Sequence, residues 1–452
     1  MSSHAMTRRA ALAGLSALPA IARAATPERT SYGLAPDIVV AKDGSGQFSS
    51  IQAALKSIPA SNRERKVILV RNGFYDEAVR VDAPYVTLRG ESRLGVRLQA
   101  NRPANETKDE IGQGVVNIAA TAHDFVLEHM TVHNTVTLAG PHAFAVLGRA
   151  DRTIIQDADL LSLGADTLAL WRSEQSKAEA GLSEAPGATP LSPDGGRYYH
   201  TGLRVTGAVD FVCPRGWCFM ADSEIVQIYP RAEAAVWHEG KGNADKKFVM
   251  KGCTFDGPPS FYLGRHHRDA QFYFIDCAFS ERMRDKPTYQ VIYPLDGGTP
   301  SPADIERNKV AAAETEWDER RYFHNSHRAG GDYAWMADNL GKAQAAKIDA
   351  AWTFAGTWDP ERADGPRVIG VAEQGGVTRL TFDRLVTVKG APRLVSASGQ
   401  ASNYVEGSGT NVLVFETVAK PARLDFAQGA VIGTEAVSKT TFARTALPTS
   451  RR

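Results

Sequence analysis

The sequence predicts an all-β protein: a parallel β-helix followed by a small C-terminal β-sandwich of immunoglobulin-like type. Three observations carry this expectation. From residue 67 to 283 short apolar strands alternate with turns, and no segment between them has a long helical period. A doubly wound fold, which needs helical crossovers, is therefore not expected. Within that stretch one strand block recurs: residues 248–255 (FVMKGCTF) and 272–279 (FYFIDCAF), with 218–225 (CFMADSEI) and 153–160 (TIIQDADL) sharing the outline. A period in the twenties with one strand block per unit is what stacked coils produce. From about Arg367 the texture changes to alternating strands separated by glycines, over about seventy residues.

The elements follow in order. Residues 1–24 read as an export signal. Arg8 and Arg9 precede an apolar run, Ala10 to Ala22, too short to span a bilayer, and Ala22-Arg23-Ala24 gives a small-x-small cleavage site. The twin arginine points to the Tat route, with an ordinary Sec signal as the alternative. Either leaves the mature protein periplasmic or secreted. The β-helix domain is expected over 25–362, the sandwich over 367–437 and a disordered tail over 438–452. Early in the domain an apolar strand (38–40) enters a Gly-rich turn, and Ser50 caps a helix with Ile51, Ala54 and Leu55 on one face. The turn lacks the spacing of a phosphate cradle. The segment 173–195, rich in Ser, Glu, Ala, Gly and Pro, reads as an exposed insertion between coils. The charged, Ala-rich stretch 302–342 reads as helices packed outside the solenoid.

With 452 residues, 43% hydrophobic and 23% charged, the chain can bury a large core and is not a disordered one. Its 52 Lys+Arg against 51 Asp+Glu exclude the basic surplus of a general nucleic-acid binder. Beyond the N-terminus no run approaches the roughly 18 apolar residues of a membrane span. The chain is expected to be a monomer.

Export permits disulfides. Cys213 and Cys218 flank a tight Pro-Arg-Gly-Trp loop that can close one. Cys253 and Cys277 fall on the repeated small position, with Ala158 and Ser223, and are expected as buried packing thiols in an inward ladder. The four cysteines lack a zinc spacing.

Three blocks place a single charged residue among apolar residues at a strand end: residues 164–168 (GADTL), 207–212 (GAVDFV) and 262–265 (YLGR). Singly, Asp166, Asp210 and Arg265 read as a turn residue, a strand-end polar group and a surface cation. On successive coils they converge on one face. Together, and with residues 42–54 (KDGSGQFSSIQAA), 73–79 (GFYDEAV) and 352–360 (WTFAGTWDP), they resemble the pectin methylesterases (pectinesterases) over roughly residues 38–362.

The resemblance implies a right-handed parallel β-helix and hydrolysis of galacturonate methyl esters in pectin or oligogalacturonides, with no metal and no cofactor. It makes Asp210 the nucleophile. Asp166 becomes the acid that protonates departing methanol and then the base that activates water, and Arg265 the group that keeps Asp210 ionised. Two neighbouring carboxylates repel, so one pKa is expected to rise, that of the acid. Departures from the pattern define the remaining candidates. Ala165 replaces the glutamine that usually precedes the acid, and His142, near a second such glutamine, is either an oxyanion donor or a loop histidine. Ala169, Cys213 and His267 stand where sugar-gripping aromatics are usual. Trp171 and Trp217 either replace that surface or anchor the core. Arg204, Arg215, Lys251 and Arg268 are cations that could attract an acidic polymer. The alternative function is a carbohydrate-binding or cell-surface β-helix without turnover. A pectate-lyase-like reading would need a carboxylate cluster for Ca²⁺, which the sequence near Arg265 lacks.

Overall fold

The computed structural model describes residues 35–173, 190–192, 194–229, 231, 233–362, 365–433 and 447. Three parallel sheets, of ten, nine and eight strands, run the length of a right-handed β-helix. Successive coils contribute one strand to each sheet, and the registers are unbroken from coil to coil: Met220 pairs with Met250, Met250 with Phe274, Phe274 with Phe323. These inward residues stack along the axis; the Phe274 and Phe323 rings lie 5.0 Å apart at 19°. A side chain is thus buried against its own counterparts above and below, worth roughly 1.5–3 kcal/mol for each large apolar group.

The corner between the first and second sheets explains the repeat. From the strand Thr153–Gln156 onward, the residue following each first-sheet strand adopts a left-handed conformation: Asp157, Gly202, Asp222, Gly252, Asp276 and Asn325, with φ from +46° to +66°. Asp, Asn and Gly tolerate that region best, and one such residue turns the chain sharply. Glycine and carboxylate alternate because they share space; a Cβ on Gly202 would sit 2.4 Å from Asp157 Oδ1. The next residue points inward and gives Ala158, Leu203, Ser223, Cys253, Cys277 and Ser326, all buried. Leu203 breaks the small-residue ladder that the sequence suggested. Cys253 and Cys277 are free thiols whose sulfurs donate to the Met220 and Met250 carbonyls of the preceding coil, at 3.5 and 3.4 Å.

Cys213 and Cys218 are also free and buried, so the disulfide between them does not form. The physical reason is a corner. Cys213 lies in the third-sheet strand Val212–Pro214, Cys218 in the first-sheet strand Gly216–Ala221, and Gly216, at φ +124°, turns the chain between them.

The helix Pro302–Ala313, capped by Ser301, lies outside the solenoid as expected. The next segment does not: Glu319–His324 is a further first-sheet strand, pairing with Ala270–Ile275. The chain then returns along the outer face of the first sheet. Leu340, Ile348, Phe354 and Trp358 pack there against Tyr199, Phe219 and Val249. Arg197, ion-paired with Asp151 at 2.5 Å, fixes this strap by donating to Thr357 Oγ1 at 3.1 Å.

The C-terminal module is a curled antiparallel sheet around Leu380, Phe382, Leu394, Leu413 and Phe415. The two strands expected over 377–388 are one long strand, Val377–Gly390, with a register irregularity at 381–386 in place of a turn. The strap returns this module to the first coils. Arg65 N donates to Thr387 Oγ1 (3.2 Å), Lys389 pairs with Asp37, and Val67 packs on Ile432. The expected signal at 1–24 and most of the expected 438–452 tail, like residues 174–189 of the insertion, lie outside the described residues. Among the described residues no helix is long and apolar enough to cross a membrane.

Candidate active site

The third sheet positions the candidate residues. Leu168 pairs with Val212, so Asp166 and Asp210, each two residues earlier, occupy the same corner on adjacent coils. Asp166 N donates to Val209 O at 2.9 Å, and Asp210 N to Ala234 O at 2.8 Å. Both aspartates have positive φ, +58° and +47°, and each follows a segment that a glycine begins. The glycine is required by close approach: a Cβ on Gly207 would lie 2.2 Å from Phe211 Cβ and 2.4 Å from Thr167 Oγ1. The backbone is thus pressed against its neighbours where the carboxylates emerge.

Arg265 lies two coils beyond Asp210, in the strand Tyr262–His266, paired with Trp237 of the coil between. Its side chain reaches back across that coil. Nε donates to Asp210 Oδ1 (2.9 Å) and Oδ2 (3.0 Å), and Nη2 to Oδ2 (2.8 Å). Nη1 faces Glu233 Oε2 at 3.4 Å. Only 5%, 7% and 8% of Asp166, Asp210 and Arg265 is exposed, enough for one face of a ligand to reach them but too little for water to screen their charges.

The electrostatics of the pair pull in opposite senses. Burial pushes the Asp210 carboxyl up to about 7, against the lowering influence of Arg265, with Asp166 and Glu233 adding to the rise. Burial also works against the charge on Arg265, but Asp210 more than offsets this and holds the guanidinium protonated more firmly than usual. Three hydrogen bonds to both oxygens are the contact of a carboxylate, so Asp210 is the ion in this geometry. Its affinity for a proton is nevertheless higher than that of an ordinary aspartate. The elevated carboxyl is thus Asp210, whereas the sequence led us to expect it in the acid of the pair, because burial outweighs the repulsion between the two acids.

His142 comes to the same corner. Its backbone bridges to Ala165, and its Nε2 lies 3.1 Å from Asp166 Oδ2 with the ring half exposed. The hydrogen bond to Asp166 raises the imidazole pKa; burial opposes this, and the charge on Asp166 adds to the rise. Ala165 is buried with Ala208 and Val209 and offers no donor.

The remaining candidates divide. Trp171 follows the third-sheet strand Leu168–Leu170. Its Nε1 donates to Cys213 O at 3.2 Å, and Arg215 lies over the ring at 4.7 Å. His267 meets Trp237 edge-on at 4.5 Å and contacts the Tyr293 hydroxyl through Nε2 at 2.9 Å; burial pushes its pKa down to about 4. It borders a cleft of about 540 Å³ formed with Arg268, Tyr293 and the helix residues Glu306 and Arg307. Trp217 does not join them. It lies on the first sheet, buried under the strap, with Nε1 donating to Asp245 at 3.0 Å. The corner at Gly216 carries it to another sheet, so it is a core anchor. The four expected cations are engaged: Arg204 with Glu224, Arg215 and Arg268 with Glu239, Lys251 with Ile348 O. Sequence reasoning missed Glu233, Trp237, Tyr289 and Tyr293. For Trp237 the signal was present, since it occupies the register position between Cys213 and Arg265.

Comparison with known proteins locates the likeness. The sequence model described as Pectinesterase matches residues 37–178. An Arabidopsis thaliana protein described as a probable pectinesterase 30 is 26% identical over 245 residues, 51% of this chain and 44% of its own. The chain therefore spans less than half the length of that relative. Among solved structures, a pectin methylesterase in complex with a hexasaccharide superimposes with a TM-score of 0.54 at 20% identity, covering 73% of this chain and 99% of the other. The pectin methylesterase from Erwinia chrysanthemi gives 0.54 at 20%, covering 72% and 99%. At that identity the likeness is one of fold.

Proposed function

We propose that this chain is a member of the pectinesterase family that is exported from the cytoplasm and hydrolyses methyl esters of galacturonic-acid units in pectin or oligogalacturonides, releasing methanol. The observation that carries the proposal is the three-bond grip of Arg265 on both oxygens of Asp210, with Asp166 at the same corner one coil away. The family match over residues 37–178 and the shared fold support it.

In this mechanism an Asp210 oxygen attacks the ester carbonyl carbon. The bond from that carbon to the methoxy oxygen breaks, and the methoxy oxygen takes a proton from the pair Asp166–His142 and leaves as methanol. Water then attacks the acyl–Asp210 carbonyl, gives its proton back to the pair, and frees Asp210. Arg265 keeps the nucleophile ionised and oriented despite burial. A raised proton affinity makes the ionised Asp210 a better nucleophile than an unperturbed carboxylate. His142 holds the shared proton against Asp166, and its exposed edge is open to the carbonyl oxygen as charge develops there. Trp171 and His267 offer ring faces to the sugars on either side.

A second reading, a carbohydrate-binding protein without turnover, draws on one observation: Ala165 has no side-chain donor where charge must be stabilised. Methanol release from methyl-esterified polygalacturonate and from short methylated oligogalacturonides separates the two. Release by the wild type and none by Asp210→Ala is expected for the esterase. Binding of the oligogalacturonide with no methanol from either protein would establish the second reading.

A further inference from the structure

The guanidinium that grips Asp210 is shared with a second acid. Arg265 directs Nε and Nη2 at Asp210, and its remaining nitrogen, Nη1, faces Glu233 Oε2 at 3.4 Å. Glu233 directly precedes the strand Ala234–Trp237, which lies between the coils of Asp210 and Arg265. Its backbone is fixed on both sides. Tyr262 N donates to Glu233 O at 3.1 Å, and Asp210 N donates to O of the next residue, Ala234, at 2.8 Å. Two carboxylates on adjacent coils thus hold one cation between them.

Among the described residues the other ionisable groups around Asp210 are committed. On the preceding coil His142 Nε2 and Asp166 Oδ2 meet at 3.1 Å and share a proton. On the coil of Asp210 itself, burial pushes the Cys213 thiol well up and keeps it neutral. Two coils on, Arg265 stays protonated because Asp210 more than offsets its burial. Beyond it, burial raises the Tyr289 hydroxyl against the pull of Arg265, and Lys286 stands over that ring at 3.6 Å. Glu233 differs. It is outside the pair that shares a proton, and 29% of its side chain is exposed, so it meets the guanidinium from the open side of the site.

The consequence is a division of charge. A cation favours the ionised form of a carboxyl beside it, and a like charge disfavours it. With one guanidinium between two acids, Asp210 has less than a whole counter-ion and also feels the charge of Glu233, which adds to the rise that burial begins. A more basic carboxylate attacks better once ionised, but it is ionised over a narrower range of pH. We propose that Glu233 is a positioning residue of the esterase site: by sharing Arg265 with Asp210 it withholds part of the compensating charge from the nucleophile and so sets how far into the acid range the enzyme works. The role rests on the esterase reading for its effect on turnover, but the coupling of Glu233 to Asp210 does not.

The test is Glu233→Gln in the full chain, which keeps a side chain of the same shape beside Nη1 and removes its charge. Methanol release from a short methylated oligogalacturonide should show an acid limb displaced to lower pH. The variant's kcat/KM should be about threefold above wild type at pH 5, the scale of one partly exposed charge, with no gain at pH 9. A limb at the wild-type pH would overturn the assignment, as would a loss by the same factor at every pH, which marks a packing role alone. Unfolding gives a readout that needs no turnover. A carboxyl raised in the folded state costs stability as pH rises through its folded-state value, about 7 here. The unfolding midpoint of Glu233→Gln relative to wild type should therefore climb from pH 6 to 8, and the climb should vanish when both proteins also carry Asp210→Asn. Methanol release with an unmoved limb and no climb leaves the esterase standing and removes the role of Glu233. A climb in a protein that releases no methanol keeps the coupling and removes the esterase.

Discussion

Replacing Arg265 with glutamine tests whether this site works by holding a buried carboxylate ionised. The substitution keeps a donor at about the position of Nε but removes both the charge and Nη2, which donates the third bond to Asp210. With the guanidinium in place, burial already lifts Asp210 to about 7. A cation at this distance holds a carboxyl down by about 1–3 pH units, so its loss should carry Asp210 to roughly 9. The nucleophile must be ionised, so activity falls as pH drops through the Asp210 pKa, and raising that pKa moves the acid limb towards alkali. At neutral pH about half of Asp210 is ionised in the wild type and ~1% in the variant, an approximately 50-fold loss that is recovered as pH approaches 9.

The assay is methanol release from a short methylated oligogalacturonide between pH 5 and 9, corrected for spontaneous hydrolysis. A variant whose kcat/KM is lowered by the same factor at every pH would refute the reasoning, because Arg265 would then act by geometry and not by charge. Stability gives an independent sign. A carboxyl raised above its ordinary 3.8 costs stability progressively as pH rises from that value through the folded-state pKa. Arg265→Gln extends the window upward, so its unfolding midpoint should fall relative to wild type as pH rises from 7 to 9.

Four further outcomes are expected. His142→Gln retains a donor to Asp166 but cannot titrate. Since the Asp166 contact raises the imidazole pKa above its usual value, activity in the wild type should decline at alkaline pH as the shared proton is lost, and in the variant, with no imidazole to hold that proton, the decline should begin at lower pH in the same pH–rate assay. Asp166→Asn should reduce kcat by at least about 10²-fold, with KM little changed, as expected for loss of general acid catalysis. Gly207→Ala must move Phe211 or the Asp210 corner and should cost about 1–3 kcal/mol in urea unfolding, with activity falling alongside. Under denaturing conditions without reductant, thiol titration should count four free cysteines; two would restore the Cys213–Cys218 disulfide.

The solenoid was legible because its constraints are local and repeated. A left-handed corner recurring from coil to coil after residue 153 admits only a few residue types, and the pairs Asp157-Ala158, Asp222-Ser223, Gly252-Cys253 and Asp276-Cys277 record it directly. The convergence of Asp166 and Asp210 was legible for the same reason, since equal distance from paired strands means equal position. What escaped was set by the corners between sheets. Trp217 lies four residues beyond Cys213, yet one glycine sends it to another sheet. The contact of His142 with Asp166 depends on an irregular bridge outside the strand repeat. The final coil at 319–324 was hidden by the helix inserted before it, whose composition dominated the reading of the whole stretch.

The repeat also explains why a solenoid can place buried charge safely. In a stack of identical coils each inward position sees only its counterparts, so a charge there would have no partner. The corner preceding the third sheet differs because its residues leave the ladder: Asp166 and Asp210 stand one coil apart, but Ala234 and Tyr262 continue the column, so no third acid follows. Arg265 sits three residues further along its own strand and reaches back across the coil of Trp237 to close the gap. Trp237, the register partner of Arg265 on the coil nearer to Asp210, carries no charge. The two-coil separation therefore lets one carboxylate be held as an ion while the other is left to His142, the asymmetry that nucleophile and acid require of two chemically identical side chains.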